Sequence, residues 1–168
     1  MSSFFSYEAA GSFPAIPLNN GLTDVVIEEL CTAASWSAQD DHQREIACWL
    51  ASHDRSIRGD GMCGFDFSEL PWSSQTLEAD RAFCLKIIGA ARRSRALDKD
   101  LVLFFDQLAA MAQAFKAEHI RPENDLWWKP TRYELCTIHH IYKHVDGCLR
   151  CNAVDANNNS ANIERSLG

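Results

Sequence analysis

Near its C-terminus the chain reads Cys136-Thr-Ile-His139-His140-Ile-Tyr-Lys-His144-Val-Asp-Gly-Cys148-Leu-Arg-Cys151. That run is the strongest chemical signal in the chain, read either as a closed metal site or as surface histidines beside cysteines that merely pack. The pattern is C-x2-H, eight residues, then C-x2-C. A two-residue gap lets two side chains of one tight turn converge on a single point. Two such knuckles supply four ligands, and thiolates with an imidazole suit tetrahedral Zn²⁺. Asp146-Gly147 provides the turn ahead of the second knuckle. Cys136, His139, Cys148 and Cys151 are the expected ligands of one structural zinc, with His140 and His144 as alternatives to His139. Four protein ligands leave no open position for water, so such a site serves to fold a segment too small to hold its own core. Three ligands would instead describe a catalytic zinc. A redox role for Cys148-x-x-Cys151 would need a βαβ context that this sequence lacks.

The rest of the sequence speaks through periodicity, carried by the apolar residues that make up 46% of the chain. Leu101, Phe104, Phe105, Leu108, Met111, Ala112 and Phe115 recur at helical spacing behind a capping Asp98 or Asp100. Phe83, Cys84, Ile87, Ile88 and Ala91 mark a helix from Ser74 or Thr76 to about Arg95. Ile46, Trp49, Leu50, His53 and Ile57 predict one from Asp40 to Ser56. Thr23 or Asp24 caps another through Ser37, burying Val26, Leu30, Ala33 and Ala34. The expected fold is mainly α: a bundle of about four helices over 1–130, a zinc-knuckle and β-hairpin module over 131–152, and a loose tail over 153–168. Residues 1–21, rich in Ser, Gly, Pro and Asn, read as an irregular arm pinned by Phe4, Phe5 and Phe13. Trp127 and Trp128 read as core or as a clamp between module and bundle.

Of the seven cysteines, Cys31, Cys48 and Cys84 fall inside apolar helical patterns and read as small buried hydrophobes. An odd count suits no disulfide framework. The N-terminus has no basic residue and no long apolar run, so no secretory signal is expected, and no stretch reaches the roughly 20 apolar residues of a membrane span. The simplest address is a reducing cytoplasm.

Charge is uneven. Residues 1–80 carry 13 acids against 3 bases, and residues 81–168 carry 10 against 13. An acidic N-terminal half suits a basic protein partner, and a net charge of −7 argues against broad phosphate-backbone binding. Arg92, Arg93 and Arg95 sit where a helix ends and favour its dipole. The expected partner surface is Asp40, Asp41, Asp60, Asp66 and Glu69. Cys63, in the glycine-rich loop Arg58-Gly-Asp-Gly-Met-Cys-Gly64, is the one nucleophile worth weighing, with His53 nearest in sequence. His42 and His119 belong to no chemical pattern. Phosphate loops, dinucleotide fingerprints and nucleophile elbows are absent from the sequence.

Gly64-Phe-Asp-Phe-Ser-Glu-Leu-Pro-Trp72 with the helices Glu78–Ala91 and Leu101–Phe115 resembles small bacterial proteins found beside polymorphic or secreted toxins. The closing Cys136-x-x-His139 and Gly147-Cys-Leu-Arg-Cys-Asn152 is similar to the ending of some of them. The resemblance implies an immunity protein that neutralises a cognate toxin, possibly a nuclease, by occluding its active site without catalysis. Leu149-Arg-Cys-Asn152 is also similar to zinc-stapled His-metal-finger endonucleases. Only eight residues separate the knuckles here, too few for the ββα unit of that family. Two other functional classes stand beside the immunity reading. One is a zinc-containing nucleic-acid or regulatory adaptor using Lys129, Arg132, Lys143 and Arg150. The other is a zinc or cysteine hydrolase using Cys63 and His140.

Overall fold

Amphipathic helices, three of the four with a side-chain N-cap, dominate the structure, a computed structural model that describes residues 3–7, 13–54, 64–121 and 128–154. The protein is mainly helical. Helix α1 spans Asn20–Ser37, α2 Asp41–Ala51, α3 Leu77–Ser94 and α4 Lys99–Ala114. Asp40 caps α2 by accepting from Gln43 N at 2.8 Å, and Asp98 caps α4 by accepting from Leu101 N at 3.1 Å. Arg92 and Arg93 close α3, where cations favour the dipole. Helix α1 begins earlier than its Thr23 or Asp24 reading. Asn19 is the cap, accepting from Leu22 N at 2.9 Å, while Thr23 is buried and its hydroxyl donates to Asn19 O. Helix α2 stops at Ala51, short of the expected Ser56. His53 lies in the turn that follows, buried, with its Nδ1 2.9 Å from Trp49 O.

The N-terminal segment corrects the sequence reading most. Strands β1 (Ser3–Tyr7) and β2 (Phe13–Leu18) pair antiparallel, with Phe5 opposite Ile16 and Tyr7 opposite Phe13. Pro14 and Pro17 in β2 argued against a strand. They are tolerated because β2 is an edge, where missing N–H donors cost no ladder bond. The other edge of β1 meets Asp66 in a parallel bridge, and Ser6 N donates to Phe65 O at 3.1 Å. Period-two alternation sends Phe5 and Tyr7 inward, where both are fully buried. Phe5 meets Phe65 and Phe104 edge-on at 5.0 Å each. Phe13 stacks on Tyr7.

One apolar cluster runs from these strands through all four helices and into the C-terminal segment, taking in Trp128, Cys136, Ile141, Tyr142, Cys148 and Leu149. Trp72 stacks on Phe115 at 4.4 Å and donates its indole N–H to Phe67 O. Cys31, Cys48 and Cys84 are buried in this core, and burial pushes the thiols of Cys31 and Cys48 up to about 12. Thiols held so far from ionisation pack rather than react. Among the described residues no helix is long and apolar enough to cross a membrane.

Candidate metal centre

The expected short hairpin is reduced to two tight turns, each closed by a single antiparallel bridge, Leu135 with Tyr142 and His144 with Gly147. In the first, Cys136 N donates to Ile141 O at 2.8 Å, and His140 N donates to Cys136 O at 2.9 Å. His140 closes that turn in the left-handed region, φ 53°, with its side chain exposed. In the second, His144 and Gly147 exchange backbone hydrogen bonds of 2.9 and 3.2 Å, and Gly147 has φ 116°. A helical turn over 149–154 follows, begun by Asn152 N donating to Cys148 O.

These turns bring four side chains to one point. The Sγ atoms of Cys136, Cys148 and Cys151 and a ring nitrogen of His139 all lie within 4.8 Å of one another. His139 Nδ1 is 3.7, 3.6 and 3.5 Å from the sulfurs of Cys136, Cys148 and Cys151, and Cys136 Sγ is 3.8 Å from Cys151 Sγ. Metal–sulfur bonds of about 2.3 Å and metal–nitrogen bonds of about 2.0–2.1 Å at tetrahedral angles demand edges of about 3.6 Å for sulfur–nitrogen and about 3.8 Å for sulfur–sulfur. The three sulfur–nitrogen edges and the Cys136–Cys151 edge match those values, and the set could hold a metal ion. Backbone amides, that of His139 foremost, lower the Cys136 thiol to about 6, whereas burial raises Cys148 and lifts Cys151 to about 11. A cation among the three sulfurs would favour their thiolate forms and offset the repulsion between them.

The two alternative histidines lie elsewhere. His140 points to solvent from its left-handed backbone. His144 is buried with its Nε2 3.3 Å from Asp54 Oδ2.

The segment is docked chiefly on α1 and α2. Tyr142 N donates to Ser35 Oγ at 2.9 Å, Arg44 Nε donates to Tyr142 OH at 3.1 Å, and Arg150 pairs with Glu28 at 2.8 Å. Trp128 is buried, and Lys129 pairs with Glu45 at 2.8 Å. Ser35, Asp54 and Tyr142 have no role in the sequence reading, and Asn152 enters it only as the end of a motif. Their partnerships span about a hundred residues, and no local pattern records them.

The expected partner surface divides. Asp40 and Asp41 are exposed at the start of α2, where Asp40 is the cap and Asp41 pairs with Arg44. Glu69 is exposed and pairs with Arg121 at 3.1 Å. Asp66 is a correction: it is buried, and its carboxylate accepts from Ser6 Oγ, Ser68 N and Ser68 Oγ as the cap of the 3-10 turn Phe67–Glu69. Asp60 and Cys63, with most of the glycine-rich loop, lie outside the described residues, as does Trp127. The basic residues around the knuckles are matched by acids. Lys129 faces Glu45, Arg132 and Lys143 share Glu134, and Arg150 faces Glu28. At the end of α3, Arg92 pairs with Asp106 and Arg95 with Glu29.

Two histidines that matched no pattern have defined work. His42 Nε2 lies 3.2 Å from the buried Asp80 and its Nδ1 3.8 Å from Glu45. The Asp80 and Glu45 carboxylates raise His42 to about 10, and His42 in turn lowers Glu45. Asp80 also accepts from Ser73 N and Thr76 Oγ1, joining the start of α3 to α2. His119 Nδ1 shares a hydrogen bond with the buried Tyr7 hydroxyl, which also accepts from Lys116 N.

No protein-family model, curated protein or solved structure matches the chain.

Proposed function

We propose that this is a zinc-stapled binding protein that acts by occluding a partner, an immunity protein for a cognate toxin with a basic surface. The closed Cys136–His139–Cys148–Cys151 set carries the reading. Four protein donors fill a tetrahedral zinc and leave no place for substrate or an activated water, so the ion acts in folding rather than in chemistry. Thiolates with one imidazole favour zinc over the harder cations. A folded, acidic, zinc-held body is then a docking surface.

The remaining support is electrostatic. The N-terminal half of the chain carries the negative charge, and Asp40 and Asp41 stand exposed at the start of α2. That end of α2 is the proposed contact, with Glu69 as a flanking charge. Attraction to a basic active-site cleft would speed capture more than it would deepen affinity. The matched basic residues around the knuckles weigh against a nucleic-acid adaptor.

The test is native mass spectrometry of the full-length protein from cells co-expressing the product of the neighbouring gene. The expected result is a 1:1 complex whose association slows when Asp40→Lys and Asp41→Lys are combined. A zinc-bound protein that ignores its neighbour overturns the immunity reading and leaves the metal centre standing. A metal-free protein overturns the zinc staple.

A further inference from the structure

The second knuckle is gripped from outside the segment that contains it. Asp54 lies just beyond α2 and is buried. Its Oδ2 receives Asn152 Nδ2 at 3.0 Å and faces His144 Nε2 at 3.3 Å. Asp146 N donates to His144 Nδ1 at 3.1 Å, so that nitrogen accepts and Nε2 carries the proton directed at Asp54. Residues 144 and 152 are the two ends of the stretch holding Cys148 and Cys151. Asp54 therefore draws both ends toward one oxygen. Asn152 also lies against the tight turn, since a methyl group on Gly147 would sit 3.5 Å from its Oδ1.

We infer that Asp54, through His144 and Asn152, is a remote positioning residue for the metal centre, making metal retention depend on the end of α2 as well as on the four ligands. This rests on the zinc reading above. Groups that orient ligands from outside the coordination shell commonly change metal affinity by about 10–100-fold when removed. An isolated knuckle peptide would lack this grip, and its loss in the full chain should show as faster metal escape.

The experiment follows zinc transfer from the full-length protein to a colorimetric chelator under native conditions. Asp54→Asn and Asn152→Ala are each expected to speed release by roughly tenfold or more. The double variant should release no faster than the quicker single one, because both act through one oxygen. Ile88→Val, a core change on α3, serves as the control for general loosening. Unchanged release in both clasp variants, or equal acceleration in Ile88→Val at matched melting temperature, overturns the inference while leaving the zinc site intact. A wild-type chain that carries no zinc fails at the earlier step, and the two failures are told apart by the metal content of the starting protein.

Discussion

Gly147→Ala tests the link between the proposed zinc and the backbone. Gly147 sits at φ 116°, a conformation that side-chain-bearing residues rarely adopt. The added methyl would meet Asn152 Oδ1 at 3.5 Å, an ordinary contact, so crowding adds little. The cost is backbone strain, about 1–3 kcal/mol for a residue forced into such a region. For a chain of this size each kcal/mol moves the melting temperature by roughly 2–4 °C. The zinc-loaded variant should therefore melt roughly 2–12 °C below wild type. Thermal unfolding is followed by far-UV circular dichroism, once with zinc and once with a chelator. If the ion is what holds the 144–147 turn closed, the chelated proteins can relax the turn and the difference between them should largely vanish. An equal drop in both states would refute the coupling. So would no drop with zinc bound.

Three further outcomes are expected. Phe5→Ala should cost about 3–5 kcal/mol in urea unfolding, as for a filled aromatic core site, whereas an irregular arm would lose almost nothing. His42→Gln should destabilise most near pH 6 and progressively less toward pH 10. A histidine raised to about 10 by Asp80 and Glu45 contributes fully below its unfolded value of about 6.5, and that contribution is lost as pH climbs through the folded value. The difference in urea midpoint between variant and wild type at pH 6 and pH 9.5 checks the sign. His140→Gly should cost no stability or add up to about 1 kcal/mol, because relief at φ 53° offsets the greater freedom of glycine in the unfolded chain.

The helices were legible because their apolar residues repeat on one face and their ends carry Asp40 and Asp98 as caps. The start of α1 was not, because Asn19, Thr23 and Asp24 are all acceptable caps and only the tertiary structure shows Asn19 accepting from Leu22 N while Thr23 is buried. The N-terminal hairpin was hidden by Pro14 and Pro17, whose tolerance depends on β2 being an edge, a fact of topology. The three cysteines and the need for one histidine beside them were legible from spacing. What separated His139 from its two neighbours was tertiary: the left-handed turn at His140 and the burial of His144 against Asp54. Asp66 looked like a surface charge because no local pattern shows the strand whose Ser6 it bonds. His42 meets Asp80, His119 meets Tyr7 and Asp54 meets His144 across 38, 112 and 90 residues, beyond the reach of periodicity.

The central proposal is that Cys136, His139, Cys148 and Cys151, which lie close enough to share a metal ion, hold one zinc. Native mass spectrometry of the full-length protein, purified without added metal, tests it most directly when run beside a Cys136→Ser, Cys148→Ser double variant. The account predicts one zinc per chain in the wild type and none in the variant. A metal-free wild type, or a variant that keeps its zinc, would contradict it.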